Sequence, residues 1–310
     1  MIRSPLLALL LVACAVSKPD PAPDAAEILG RRYRELLPAG ATVGVSIVSL
    51  NSGRTVFACL DTVPLIPASV LKLIVTGHAI DRWDARWDST VSRALTASRA
   101  PALRFLRDDS KSDSLTLLLD APDAAAWPLR RRAVFWANRH STNRLSELLL
   151  AAALDDRTPA GATACYTTWL DSLAVPSAGL RMHDGSGLAR ANRLTPATVT
   201  GLLAALHETR ERELGASLAA PGRRGTLARR GLGLGHRVRA KTGYIREVFT
   251  LAGYLEAETD TYAFAFLAND CPDPRAAYRL FTGLLLATYR RNAADTLRDR
   301  NGTGAAKPPR

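Results

Sequence analysis

The strongest constraint on the fold lies in the last third of the chain. Three strand-like runs follow one another there, "HRVRAKTG", "EVFTLAGYLEA" and "TYAFAFLAND", and a helical stretch covers 273–291. Short apolar runs separated by turn residues read as strands. Two more runs lie near the start, "TVGVSIVSL" (42–50) and "RTVFACL", joined by the turn "NSG" in a clear hairpin pattern. Helical character precedes the hairpin at about 25–37 and follows it after Pro67; further helical stretches fall near 129–138, 144–154, 162–173 and 196–210. The segment 84–130 is less regular, with "SLTLLLD" (114–120) read as a strand. One mixed sheet pairing the first and last segments satisfies these runs, and the long middle excursion becomes a helical subdomain. The predicted class is α/β of the α+β kind: a mostly antiparallel sheet flanked by helices, with a cleft between sheet and subdomain where ligand sites commonly form.

The two ends of the chain read differently. In "MIRSPLLALLLVACAVSKPD", Arg3 supplies a charged start and Leu6 to Val12 an apolar run too short to span a bilayer. Small residues before Cys14 make "LVAC" similar to a bacterial lipoprotein signal, with Cys14 as the lipidated residue; an ordinary secretory signal is the alternative. Either way the mature protein is expected outside the cytoplasm, in the periplasm or cell envelope. Residues 1–14 are thus the signal, 15–26 a proline-rich tether and 27–291 the domain, with its helical subdomain at roughly 84–205. The polar tail, 292–310, is expected to be disordered. Cys59, Cys165 and Cys271 show no CxxC spacing and are read as buried free thiols. The histidines are scattered with no HExxH, so neither metal nor cofactor is expected.

The net charge of +12 is carried almost wholly by arginine. No basic run is interleaved with aromatics, so a solvated basic surface is the reading and no specific nucleic-acid partner is expected. The only lysines are Lys18, Lys72, Lys111, Lys241 and Lys307. Arginine keeps its proton in a protein, whereas a buried or crowded lysine loses it readily. Lysine at an interior position of such a chain therefore invites a search for chemistry.

Lys72 sits in "PASVLKLIVTGHAI", among Val70, Leu71, Leu73, Ile74 and Val75. Burying an ammonium costs several kcal/mol unless something compensates. Ser69 lies three residues earlier, at a helix start, so the two side chains share a face. A serine hydroxyl needs a base to attack a carbonyl, and a lysine depressed by burial and a second cation supplies one. The helix N-terminus offers free amides to an oxyanion. A second element, "HSTNRLSELLL", places Ser141 to relay a proton between Lys72, nucleophile and leaving amine, and Asn143 to grip a substrate amide; helix capping is the plain alternative. In the third, "VRAKTGYIREVFTLAGYL", Lys241 and Thr242 offer an ammonium and a hydroxyl to a carboxylate, and Gly243 lets a peptide approach the strand; a hairpin turn is the alternative.

S-x-x-K, an S-x-N element and K-T-G, in that order, resemble the penicillin-binding proteins and class A β-lactamases. "DGSGLARANRLTP" (184–196), "SLAAPGRRGTLARR", "AKTGYIREVFTLAGYL", "FAFLAND" and "IPASVLKL" narrow this to the D-alanyl-D-alanine carboxypeptidase/endopeptidase family that includes the DacB-type penicillin-binding proteins. The resemblance covers about 40–80 and 136–290. It implies a β-lactamase/transpeptidase-like fold and a serine carboxypeptidase acting on peptidoglycan stem peptides, with β-lactams as covalent inhibitors. By position, Ser69 is the acylated nucleophile and Lys72 its base; Ser141 and Asn143 complete the proton relay; Lys241 and Thr242 bind the terminal carboxylate. The oxyanion hole falls to the amides of Ser69 and Tyr244, and Ser186 and Arg190 lie beside the stem-peptide side chain, where a guanidinium suits a carboxylate.

This sequence departs from the pattern in three ways. The short spacing between Ser69 and Ser141 leaves out the family's large inserted domains, Thr142 stands where aspartate is usual, and Tyr244 follows KTG where a small hydroxyl residue is commoner. The short spacing also suits a class A β-lactamase, but no glutamate occurs between Glu147 and Glu208 to activate a deacylating water. A non-catalytic cell-wall-binding lipoprotein is the third reading; intact Ser69, Lys72 and Lys241 argue against it. The choice between carboxypeptidase and endopeptidase stays open.

Overall fold

The computed structural model describes residues 24–97, 128–223 and 225–302. Helix α1 (Asp24–Leu36) leads into β1 (Thr42–Ser49) and β2 (Thr55–Cys59). A 3-10 turn, Ala68–Leu71, runs straight into α2 (Lys72–Arg82), followed by α3 (Ala85–Ala97). After the undescribed 98–127 come α4 (Leu129–Arg139), α5 (Asn143–Ala153), α6 (Pro159–Ser172) and α7 (Pro196–Ser217). Strands β3 (Val238–Ile245), β4 (Val248–Glu256) and β5 (Thr261–Asn269) precede α8 (Pro274–Gly302).

The five strands form one sheet in the order β2-β1-β5-β4-β3, joining the two ends of the chain as expected. All its ladders are antiparallel, so the sheet is not mixed. Both faces are covered, which is why the central strands read as continuous apolar runs. Successive β5 residues point to opposite faces. Ala263, Ala265 and Leu267 meet the helical layer of α2 and α4–α7, whereas Phe264, Phe266 and Ala268 meet the layer of α1 and α8. The small alanines let α7 lie close against the sheet, where buried Ser46 and Thr200 hydroxyls bond at 2.8 Å and Tyr254 donates to the Leu203 carbonyl at 2.8 Å. On the other face Phe264, Phe266 and Phe281 stack with centroids 5.1 Å apart.

Helix α2 is hydrophobic all round because it is the centre of the helical layer, with Lys72 to Ile80 all buried. Thr76 and Ser217 both bond the buried Asn138, which ties α2 to α4 and α7.

Three boundaries differ from the sequence expectation. Helix α1 starts at Asp24, so the last residues of the expected 15–26 tether are helical. Helix α8 runs to Gly302, so 292–302 is not a disordered tail. Asn292, counted there as polar tail, is buried: its Nδ2 donates to Thr259 Oγ1 and to the Tyr262 hydroxyl, each at 3.1 Å, and its Oδ1 accepts from Thr259 N at 3.1 Å. Within 84–130, α3 was not anticipated. Asp84 accepts from Trp87 N at 3.1 Å in N-cap fashion, and Trp87 and Val91 enter the helical core. The "SLTLLLD" strand, the signal segment and Cys14 lie outside the described residues. Cys59 and Cys271 are buried, Cys165 is half-buried, and these three thiols form no disulfide with one another.

Candidate active site

The turn that carries Ser69 is clamped from several sides. Asn269, the last residue of β5, accepts from Ile66 N at 2.8 Å and donates to Ile66 O at 3.0 Å, and Thr250 Oγ1 donates to Pro67 O at 2.8 Å. Ala68 is thereby held at φ 45°, a left-handed conformation unfavourable for a residue with a Cβ. Two glycines make the clamp possible. A Cβ on Gly187, itself at φ 81°, would lie 1.9 Å from Ala68 O; a Cβ on Gly243 would lie 2.1 Å from Thr250 Oγ1 and 2.9 Å from Ser69 N. Gly243 is thus needed for the strand to reach the Ser69 turn, beyond any approach of a peptide.

Lys72 opens α2 and is wholly buried. Its Nζ lies 2.8 Å from Ser69 Oγ and 2.9 Å from Asn143 Oδ1, and it also donates to the Ser186 carbonyl. Burial lowers its pKa to about 8; the carboxylates of Asp184 and Glu147 hold it from falling further. Lys241 Nζ, also fully buried, donates to Ser141 Oγ and to the Thr242 carbonyl, both at 2.8 Å. Burial, and then repulsion from Lys72, push its pKa well below that of a free lysine. The main cause for Lys72 is therefore desolvation, rather than the second cation that the sequence suggested alongside it.

Ser141 stands at φ 57° between α4 and α5. The capping alternative fails for this triplet: Thr142 is the N-cap of α5 but makes no side-chain cap bond, and Asn143 is the first helical residue. Ser141 is bonded to Lys241, while Asn143 takes the contact with Lys72. The relay drawn from sequence, with Ser141 next to Lys72, is thus divided between two lysines.

Strand β3 is an edge of the sheet. Ala240 exchanges both main-chain bonds with Ala219 outside the sheet, at 2.8 and 3.2 Å. By the same alternation the N–H and C=O of Thr242 and Tyr244 also face outward. Tyr244 N–H is thereby directed as an oxyanion donor would be. The Tyr244 side chain is 62% exposed and lies beside Phe249, with ring centroids 4.9 Å apart.

The loop 183–192 is a cage of charge-assisted hydrogen bonds. Asp184 accepts from Gly187 N, Ala189 N and Asn192 Nδ2 at 2.6–2.8 Å, and Asn192 Oδ1 accepts from His183 N at 2.7 Å. The cage presents the Ser186 carbonyl to Lys72, so Ser186 enters the site through its main chain. Arg190 is exposed, and its Nη1 donates to the Arg246 carbonyl of the β3–β4 turn at 2.8 Å.

Ser69, Lys72, Ser141, Asn143 and Lys241 therefore converge, with Thr242, Gly243 and Tyr244 on the strand beside them. Sequence reasoning assigned no role to Glu147, Asp184, Thr250 or Asn269. Glu147 accepts from Gly185 N at 3.0 Å and Ser186 N at 2.9 Å. Its position one turn after Asn143, in an otherwise apolar stretch of α5, was the available signal.

Sheet, helical layer and the Ser-Lys site between them define a fold of the penicillin-binding-protein and β-lactamase type. Penicillin binding protein 4 (dacB) from Haemophilus influenzae superposes with a TM-score of 0.62 at 13% identity, covering 83% of this chain and 98% of that one. A β-lactamase from Sphaerobacter thermophilus gives 0.56 at 16% identity, covering 86% and 98%. The chain belongs to the D-Ala-D-Ala carboxypeptidase 3 (S13) family, whose profile matches residues 128–284. It is 36% identical over 113 residues to the D-alanyl-D-alanine carboxypeptidase of Actinomadura sp. (strain R39), a match that spans 34% of this chain but only 21% of that relative.

Proposed function

We propose that this protein is a serine-type D-Ala-D-Ala carboxypeptidase acting on peptidoglycan stem peptides through an acyl-serine intermediate. The observation that carries the reading is the buried Lys72 amine, 2.8 Å from the half-buried Ser69 hydroxyl, with a pKa lowered to about 8. In the neutral form Lys72 takes the Ser69 proton as Oγ attacks the carbonyl carbon of the penultimate D-alanine. The negative charge that develops on the carbonyl oxygen meets the amides of Ser69 and Tyr244. As the C–N bond breaks, the leaving amine takes the proton of the Ser141 hydroxyl, and the Lys241 ammonium that donates to Ser141 replaces it, leaving Lys241 neutral and Lys72 protonated. Water then attacks the ester carbonyl, passing its proton through Ser141 to neutral Lys241, while Lys72 returns a proton to Ser69 Oγ as the acyl C–O bond breaks.

The substrate backbone lies along the open edge of β3, with its terminal carboxylate near the hydroxyls of Ser141 and Thr242 and the Lys241 charge. Among the described residues the exposed large apolar side chains are Leu188, Tyr244 and Leu297, and Tyr244 belongs to this edge strand. Penicillin sensitivity follows from the same acylation. Endopeptidase action is the finer alternative, decided by cleft shape. Against a β-lactamase-like deacylation stands Glu147, whose two oxygens are engaged by main-chain amides. The N-terminal sequence supports export with a lipid on Cys14; incorporation of a labelled fatty acid, lost in Cys14→Ser, tests that part.

The central test is labelling by a fluorescent penicillin, with release of D-alanine from peptides ending in D-Ala-D-Ala. Both should occur in wild type and vanish in Ser69→Ala. An inert wild type refutes the enzyme reading, labelling of Ser69→Ala refutes the nucleophile, and rapid nitrocefin turnover favours the β-lactamase. Mass spectrometry of cross-linked muropeptides separates endopeptidase from carboxypeptidase.

A further inference from the structure

Lys72 Nζ has three neighbours: Ser69 Oγ, Asn143 Oδ1 and the Ser186 carbonyl. As an ammonium it donates to all three. As a neutral amine it keeps two N–H bonds and one lone pair. Asn143 Oδ1 and Ser186 O only accept, so they claim both N–H bonds. The lone pair is then left facing Ser69 Oγ, the one neighbour that can donate. The reactive direction of the base is therefore set by two acceptors, and α5 governs both. Asn143 is the first residue of that helix and acts directly. Glu147, one turn on, grips the amides of Gly185 and Ser186 and so fixes the residue whose carbonyl Lys72 meets. Asp184 holds the other side of that peptide through Gly187 N at 2.7 Å.

We propose that Glu147 is a positioning residue for acylation: its two-oxygen grip on the Gly185 and Ser186 amides holds the Ser186 carbonyl against Lys72, so that the neutral amine points its lone pair at Ser69. This rests on the serine-peptidase reading above and adds to it a residue that touches neither substrate nor nucleophile. The charged groups acting on Lys72 are Asp184 and Glu147, and Lys72 in turn repels the proton of Lys241. Removing the Glu147 charge while loosening the loop has two separable consequences. Acylation slows, and the pH at which Lys72 loses its proton falls, because one of the charges holding that proton is gone.

The test compares wild type, Glu147→Gln and Glu147→Asp on the full chain. The acylation rate constant with a fluorescent penicillin is measured per labelled molecule across pH 6–10. Titration of the Lys72 side chain is followed by NMR of 13Cε-labelled lysine, a spectrum made simple by the scarcity of lysine in this chain. Glutamine keeps the size but loses the charge and one amide bond, so acylation should fall roughly 10- to 100-fold, the effect of one lost charge-assisted hydrogen bond. The Lys72 midpoint should move to lower pH. Aspartate keeps the charge on a shorter arm; it should slow acylation yet leave the midpoint near the wild-type value. Wild-type rate and midpoint in Glu147→Gln overturn the inference, as does a loss confined to thermal stability. Should the glutamine variant fold poorly, a wild-type rate in Glu147→Asp overturns it equally. A wild type that never acylates overturns the underlying reading instead, and is recognised because every variant is then inert.

Discussion

The depressed pKa of Lys72 makes the pH profile of acylation the sharpest test of the site. The group acts as base only when neutral. With a value of about 8, about a tenth of the molecules carry neutral Lys72 at pH 7 and about nine tenths at pH 9. The acylation rate constant should therefore rise about tenfold between those pH values and level off above them. The sign for stability is the same. The unfolded chain binds this proton up to about 10.5, the folded chain only to about 8, so between those values the unfolded state holds more protons and stability rises with pH. The full difference is about 3 kcal/mol, at about 1.4 kcal/mol per pH unit. Stopped-flow acylation by a fluorescent penicillin from pH 6 to 10 measures the first, and urea unfolding from pH 7 to 10 the second. Lys72→Arg separates base from charge. Guanidinium stays protonated throughout and cannot accept the serine proton, so acylation should fall by about a thousandfold or more at every pH. A flat or falling rate profile in wild type, or near-normal acylation in the arginine variant, would refute Lys72 as the base.

Other consequences are as direct. Gly187→Ala should abolish labelling and lower Tm, because the added Cβ meets Ala68 O at 1.9 Å on a backbone already at φ 81°; a variant that labels normally would show that the loop does not need to sit on the nucleophile turn. Asn269→Ala leaves Ile66 N and O without their partner, so unfolding free energy should drop by about 1–3 kcal/mol and the acylation rate per folded molecule should fall as well; loss of stability with an unchanged rate would reduce Asn269 to a purely structural tie. His78 is buried, and its pKa is lowered to about 4, first by desolvation and then by Arg82. The unfolded chain takes up this proton below about 6.5 and the folded chain only near 4, so stability present at neutral pH should be lost as pH falls through that window, by up to about 3 kcal/mol. Urea unfolding at pH 7 and pH 4.5 should show the drop in wild type and a smaller one in His78→Phe.

The sheet was legible because its strands carry their own signal. Runs such as "TYAFAFLAND" announce themselves by apolar content and turn residues, and the alternation of alanine with phenylalanine even marks the two faces of β5. Ser69, Lys72, Asn143 and Lys241 were legible because chemistry restricts residue type at fixed spacing. The tail was misjudged for the converse reason. Composition of 292–302 is polar, but the stretch continues the helix and opens on a buried asparagine bonded to Thr259 and Tyr262, and a long-range bond leaves no local trace.

The same limit explains why the supporting residues escaped. Asn269, Thr250 and Glu147 are ordinary residues in ordinary contexts, and their roles exist only once β4, β5 and the loop 183–192 meet the turn at Ser69. What the sequence did show was an energetic anomaly, a lysine in a helix with no exposed face. A buried ammonium requires acceptors, and those had to come from elsewhere in the chain. Structure supplies a side-chain amide from α5 and a main-chain carbonyl held by two carboxylates. Neither acceptor carries a full charge, while the carboxylates that do stand one residue further back. An ion pair in direct contact would hold Lys72 protonated at neutral pH and disarm it as a base. Carbonyls in contact and carboxylates behind them keep the amine oriented with its proton still labile, which is the condition the proposed acylation of Ser69 demands.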